Sequence, residues 1–188
     1  MRSFVLNPLA AIATLAAAIP AAAGEIDPPA PPSPTMVALD LVEPVADLRV
    51  VSAPLHGVEI PEDQVPLAID EFPVLFVAAA LAKGTTTTNG LDELRVKESD
   101  RLSAMAAALT LAGARVEERK DGLVIQGTGG EPLAGTSGEP VTTHLDHRIA
   151  MSFAMAGLAV PGVCIRNEGC VEKSFPTFWQ VFEGLYRS

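Results

Sequence analysis

The side chains best placed to do chemistry gather in Arg95-Val96-Lys97-Glu98-Ser99-Asp100-Arg101-Leu102, where three cations and two carboxylates fill eight residues ahead of an apolar-periodic run. Lys97 and Arg101 are four apart, and Glu98 and Arg101 three apart, so at a helix entrance all three can project to one side. An anion placed there meets two cations, backbone amides without a helical partner, and the positive end of the helix dipole. The plainer alternative is a solvated charge cluster with a local ion pair.

Two further entrances repeat the pattern. Negative charge is what a helix N-terminus favours, yet His147 and Arg148 follow Asp146 directly, and Lys173 immediately precedes Ser174. Three such entrances suggest a shared anion that supplies the missing charge. Local pairing is the competing account: Arg148 with Asp146, and Lys173 with Glu172. The carboxylates divide in the same way. Asp70 is either an N-cap or a general base. Glu98 is either the ion-pair partner of Lys97 and Arg101 or the group that handles a second proton. Neither a second histidine at metal-ligand spacing near His147 nor a glycine-rich phosphate loop nor a Gly-x-Ser-x-Gly elbow is present, so no metal and no cofactor is expected.

The elements that must position these groups alternate. Leu48–Val51 reads as a strand, Gly57–Pro66 as a loop, and Ile69–Ala82 as a helix with Asp70 and Glu71 at its start and Pro73 in its first turn. Thr85–Thr88 is a β-branched strand before an Asn89-Gly90 turn. Ser99 is a residue type suited to an N-cap, and Leu102, Met105, Ala106, Leu109 and Ala112 recur at helical spacing up to a glycine stop at Gly113. A strand-like Ala114–Glu117 follows that glycine, strands over Val116–Glu118 and Leu123–Ile125 flank Lys120-Asp121-Gly122, and Gly127–Gly138 is loop. A helix over Asp146–Leu158, a strand over Val163–Arg166 and a last helix over Ser174–Leu185 complete an α/β chain.

Composition narrows the partners. With 48% hydrophobic residues over 188, the chain can build a sizeable core. Its net charge of −10 disfavours nucleic acid and anionic membrane, so an anionic small molecule would need a local concentration of cations. The two cysteines, Cys164 and Cys170, are too few for a disulfide framework and read as reduced. Residues 1–44 form an alanine- and proline-rich leader and linker, and the folded unit spans 45–188. The apolar run from Leu9 to Ala23 has the shape of a secretory signal, interrupted by Asn7-Pro8 and Pro20 and too short for a confident membrane span. Export is therefore the alternative to a cytoplasmic location.

The charged octet, together with Asp146-His147-Arg148-Ile149-Ala150-Met151 and Lys173-Ser174-Phe175-Pro176, resembles the carboxy-terminal signatures of the EPSP synthase family, the 3-phosphoshikimate 1-carboxyvinyltransferases. The resemblance runs from about Glu43 to Leu185. It implies an enolpyruvyltransferase-type α/β fold, part of a domain built from βαβαββ units, two such domains closing over the substrates. The implied reaction moves the enolpyruvyl group of phosphoenolpyruvate to the 5-hydroxyl of shikimate 3-phosphate, without a metal, through a tetrahedral intermediate that loses phosphate. It further implies that Asp70 contacts the shikimate hydroxyl as base and that Glu98 handles the proton at the methylene carbon. Lys97 would face the shikimate substrate, Arg101, Arg148 and Lys173 would hold phosphoenolpyruvate, and His147 would line the site. The family's amino-terminal domain, with its Lys-Ser pair, Asn-Ala-Gly-Thr loop and Ser-Ser-Gln phosphate contacts, has no counterpart here. Val5-Leu6-Asn7-Pro8 is similar to a Leu-x-Asn-Pro stretch of the family, which offers a diverged remnant as the other reading of the leader. The expectation is a truncated or split enzyme, with a separate amino-terminal half as a further partner. A non-catalytic anion-binding or interaction module is the alternative.

Overall fold

Helix α2 (Phe72–Leu81) is the element around which the residues described by the computed structural model, 53–187, are packed. Its sequence is apolar on every face, so it has to be surrounded, and all of its residues except Val74 are buried. The helix begins three residues later than the sequence predicts. In a helix begun at Ile69, Pro73 would fall where its amide should bond the Ile69 carbonyl; starting at Phe72 puts the proline in the first turn, where no donor is needed. The residues before it form a 3-10 turn (Glu62–Gln64), a short helix α1 (Val65–Ala68) and a second 3-10 turn (Ile69–Glu71) that carries Asp70. Asp70 therefore caps no helix with its side chain. By length and composition Glu62–Leu81 could cross a membrane, but in the fold it is broken at these turns and its second half is core.

Beside α2 lies a mixed sheet. Strands β1 (Thr85–Thr87), β2 (Arg115–Glu118) and β3 (Leu123–Gln126) are ordered β1–β3–β2, with β3 antiparallel to both and Ile125 opposite Thr86 on one side and Val116 on the other. Helix α3 (Arg101–Leu111) makes the crossover from β1 to β2. Along the free side of β1 runs residues 55–60, parallel to it: the Thr87 amide donates to the Val58 carbonyl (3.0 Å) and the Ile60 amide to the Thr87 carbonyl (3.1 Å). Part of the predicted Gly57–Pro66 loop is thus sheet edge. Gly57 makes that approach possible, since a Cβ there would stand 2.3 Å from the Thr85 carbonyl oxygen. Extended segment, helix, strand, helix, strand, strand is the βαβαββ order expected of the α/β fold. The predicted strand Leu48–Val51, the linker and the leader lie outside the described residues.

A second, smaller layer supplies the other half of the cluster. Strands β4 (Val141–Thr142) and β5 (Ile165–Arg166) pair in parallel across helix α4 (His147–Ala156). Strand β4, only two residues long, falls where no strand is predicted, and β5 is shorter than the predicted Val163–Arg166. Helix α5 (Phe178–Arg187) starts four residues after the predicted Ser174, because Pro176 lacks an amide hydrogen and biases Phe175 away from helical geometry. Lys173 instead ends a 3-10 turn, Glu168–Lys173, so it is not at a helix entrance. One apolar cluster joins Phe72 and Phe76 of α2, Leu102, Met105 and Leu109 of α3, Leu123 and Ile125 of β3, and Ile149 and Phe153 of α4. The five periodic residues of α3 named above are all buried, and Gly113 closes that helix with φ near 97°. Cys164 and Cys170 are free and buried.

Candidate functional site

The site is made where the first turns of α3 and α4 meet the 3-10 turn before α2. Asp100, not Ser99, caps α3: its carboxylate accepts the Ser103 amide at 3.0 Å. Ser99 is left free to donate its hydroxyl to Asp146 Oδ2 at 2.9 Å. Asp146 caps α4 by accepting the Arg148 amide (2.9 Å) and also accepts Arg101 Nε (2.8 Å). A fully buried carboxylate is thereby given three donors, one of them a cation, which burial of a charge demands.

Arg101 is the hub. Its side chain is 1% exposed, and each guanidinium nitrogen faces a different carboxylate: Nε to Asp146, Nη1 to Asp70 Oδ1 at 2.9 Å, and Nη2 to Glu98. Arginine's planar fork makes one side chain able to order three segments at once. Asp70 is further flanked by Lys97 Nζ at 3.7 Å and Arg148 Nη2 at 4.0 Å. Arg148 also donates to the Asp70 carbonyl (2.9 Å) and to Glu71 Oε1 (2.7 Å), while Lys97 pairs with Glu93. Partial burial pushes the Asp70 carboxyl upward, but the Arg101 hydrogen bond and the charges of Arg148, Lys97 and Arg101 outweigh it and hold it below the usual aspartate range. The same contest, with deeper burial and with Arg101 as the main opposing partner, leaves Asp146 lowered as well. The Lys97 ammonium is pushed up by its hydrogen bond to Glu93 and by Asp70.

Three chain-remote signatures, around Asp70, Arg101 and Arg148, thus converge on one charge cluster, and the sequence as a whole matches the model of the family described as EPSP synthase (3-phosphoshikimate 1-carboxyvinyltransferase) over residues 5–182. The chain belongs to the EPSP synthase family. It is 60% identical over 147 residues to the 3-phosphoshikimate 1-carboxyvinyltransferase of Novosphingobium aromaticivorans, an alignment covering 77% of this chain and 33% of that protein. With the enzyme of Sphingopyxis alaskensis it shares 59% over 144 residues, 76% of this chain and 32% of the other. A solved EPSP synthase from Acinetobacter baumannii superimposes with a TM-score of 0.65 at 47% identity, over 71% of this chain and 30% of that one. The chain spans about a third of the length of the curated relatives it matches.

An open cleft adjoins the cluster, walled by Glu98, His144, Leu145, His147, Lys173 and Ser174. His147 Nδ1 lies 4.0 Å from Glu98 Oε1. Lys173 forms no pair with Glu172; among the described residues it has no ion-pair partner, in contrast to Lys97, Arg101 and Arg148. Arg148 likewise does not pair with Asp146 through its side chain, which turns instead to Glu71. Glu98 pairs with Arg101 and not with Lys97. Two consecutive residues on the cleft wall, His144 and Leu145, hold left-handed backbone with φ of 53° and 60°, an uncommon conformation for such side chains. All seven residues singled out in the sequence therefore lie in the cluster or on the adjoining cleft wall. Asp146 was visible only as the start of a helix and a local partner for Arg148; its burial, its capping of α4 and its role in holding Arg101 were not. Glu71 and Ser99 were marked only as residues of helix entrances, and Glu93 and His144 not at all, because nothing in their spacing signals which groups they meet. Among the described residues, no group of three His, Cys, Asp or Glu is arranged to hold a metal ion.

Proposed function

We propose that this chain carries the carboxy-terminal wall of an EPSP synthase active site and acts in enolpyruvyl transfer from phosphoenolpyruvate to shikimate 3-phosphate as one part of a truncated or split enzyme. The observation that carries the reading is the convergence of Asp70, Lys97, Glu98, Arg101 and Arg148 on one cluster, with Lys173 in the adjoining cleft free of ion pairs among the described residues. In this reading Arg101, Arg148 and Lys173 receive the phosphate and carboxylate of phosphoenolpyruvate, and His147 lines the same wall. Arginine suits bidentate anion recognition, whereas Lys173 adds a point charge. Asp70, kept ionised by its three cations, is available to accept the proton of the attacking 5-hydroxyl, with Lys97 on the shikimate side. Glu98 faces the cleft at 50% exposure, where it can pass a proton to and from the methylene carbon. Charge stabilisation in the tetrahedral intermediate requires donors on both faces, and this chain supplies one.

A second reading is favoured by one feature of the cluster. Arg101 already meets three carboxylates, and Lys97 and Arg148 two each, so an incoming dianion has to displace some of them. A module that binds anions weakly and does no chemistry would look the same. Phosphate release from phosphoenolpyruvate plus shikimate 3-phosphate, measured with the chain alone and with the amino-terminal domain of a relative added, separates the two. Release on mixing supports the enzyme part; its absence from a folded mixture supports the module. We place the reaction in the cytoplasm, with 45–188 as the family unit; sequencing the mature amino terminus tests export.

A further inference from the structure

Arg95 opens the charged octet yet takes no part in the cluster around Asp70. Its guanidinium donates through Nε to the Lys120 carbonyl (2.6 Å) and through Nη2 to the Arg119 carbonyl, both in the turn between β2 and β3. Nη1 meets Asp100 Oδ2 at 3.0 Å, Glu118 Oε1 at 2.9 Å and Ser103 Oγ at 3.2 Å. One side chain thus ties the 3-10 turn Asp92–Val96 to the sheet and to the cap of α3. The Arg95–Asp100 pair also closes residues 95–100 into a small ring, and Lys97 and Glu98 stand inside it. Ser99 inside the ring and Arg101 just after it fasten the segment to Asp146.

We infer that Arg95 is a positioning residue for the anion cleft, holding the 95–100 ring against the sheet so that Lys97 and Glu98 keep the orientation the cleft needs. The inference rests on the reading of that cleft as a phosphoenolpyruvate site. Arg95 itself would touch no substrate. A lysine at this place keeps the charge but cannot reach two carbonyls and two carboxylates together, because it lacks the fork.

The test uses the full 188-residue chain. Phosphoenolpyruvate is titrated by calorimetry into the unmodified chain, Arg95→Lys, Asp100→Asn and Arg115→Gln, at a temperature where a thermal melt shows each to be folded. Arg95→Lys is expected to raise Kd about tenfold, short of the ~100-fold that a 1 Å misplacement can cost. Asp100→Asn keeps a competent N-cap while weakening the ring closure, and should raise Kd by less. Arg115→Gln removes an exposed cation from the same sheet and should leave Kd unchanged. A lower melting temperature with unaltered Kd in both Arg95→Lys and Asp100→Asn would make Arg95 merely structural and overturn the inference alone. Should Arg95→Lys fail to fold, Asp100→Asn decides by the same criterion. No binding by the unmodified chain would overturn the functional reading and the inference with it.

Discussion

The Arg101 hub and the Lys173 cleft are adjacent, carry the same kinds of side chain, and are built in opposite ways. Around the hub a buried guanidinium meets Asp146, Asp70 and Glu98, with every nitrogen committed before any ligand arrives. In the cleft a lysine with no ion-pair partner among the described residues, two histidines and a half-exposed glutamate face open space. The contrast teaches that a cation in a signature motif can serve order or binding, and that burial and pairing decide which. Arg101 holds three chain segments in place and meets a ligand only by exchanging Asp70 or Glu98 for it, whereas Lys173 is available at once.

The most severe way to break this distinction is to remove the buried partner. Asp146→Ala strands Arg101 in the interior and deprives both Ser99 and the α4 cap of their acceptor, at a cost of about 3–5 kcal/mol for a broken buried pair. A large fall in melting temperature, or no folded chain, is the expected result. A loss comparable to that of a surface substitution would mean that the hub is not structural.

Acid should act through the same groups. Asp70 and Asp146 have folded pKa values below their unfolded ones, so the folded chain binds fewer protons than the unfolded chain at mildly acidic pH. Their contribution to stability is fully present above the unfolded value, about 3.9, and is lost as pH falls through the lowered folded values. Urea unfolding across pH 2–6, values chosen to bracket about 3.9, should show stability falling at the acid end. Asp146→Asn should flatten that fall, and an unchanged slope would argue against the linkage.

Changes in the cleft should separate binding from folding. Lys173→Met is expected to weaken phosphoenolpyruvate binding about tenfold, equivalent to about 1.4 kcal/mol, with the melting temperature nearly unmoved. Equal losses in both would return Lys173 to a structural role. Smallest of all should be Glu71→Gln, because the Arg148–Glu71 pair is exposed, and such pairs contribute on the order of 0–1 kcal/mol. Its informative readout is binding: freeing Arg148 from Glu71 should leave affinity equal or slightly improved.

The sequence carried much of this. Periodicity placed the buried face of α3, and the cations at Lys97, Arg101, Arg148 and Lys173 marked the cluster and its cleft before any geometry was known. Proline positions were legible, yet their consequence at Pro73 and Pro176 was misjudged, because a helix can be delayed until the proline falls in or before its first turn. What spacing could not carry was pairing. Asp146 lies two residues from Arg148 and Glu172 beside Lys173, yet Asp146 binds the guanidinium of Arg101, 45 residues away, and Glu172 does not pair with Lys173. Such choices are made by tertiary packing of α3 against α4, which local sequence does not encode. The sheet edge at 55–60 was missed for a similar reason, its partners being residues of β1 and the turn before it.

The most direct test of the central claim is a phosphoenolpyruvate titration of the isotope-labelled chain followed by heteronuclear NMR. The account predicts shifts concentrated at Glu98, His144, His147, Arg148 and Lys173, with the Asp146–Arg101 contact retained throughout. Shifts confined to the apolar cavity beside Trp179 and Cys164, or none at millimolar ligand in a folded chain, would contradict it.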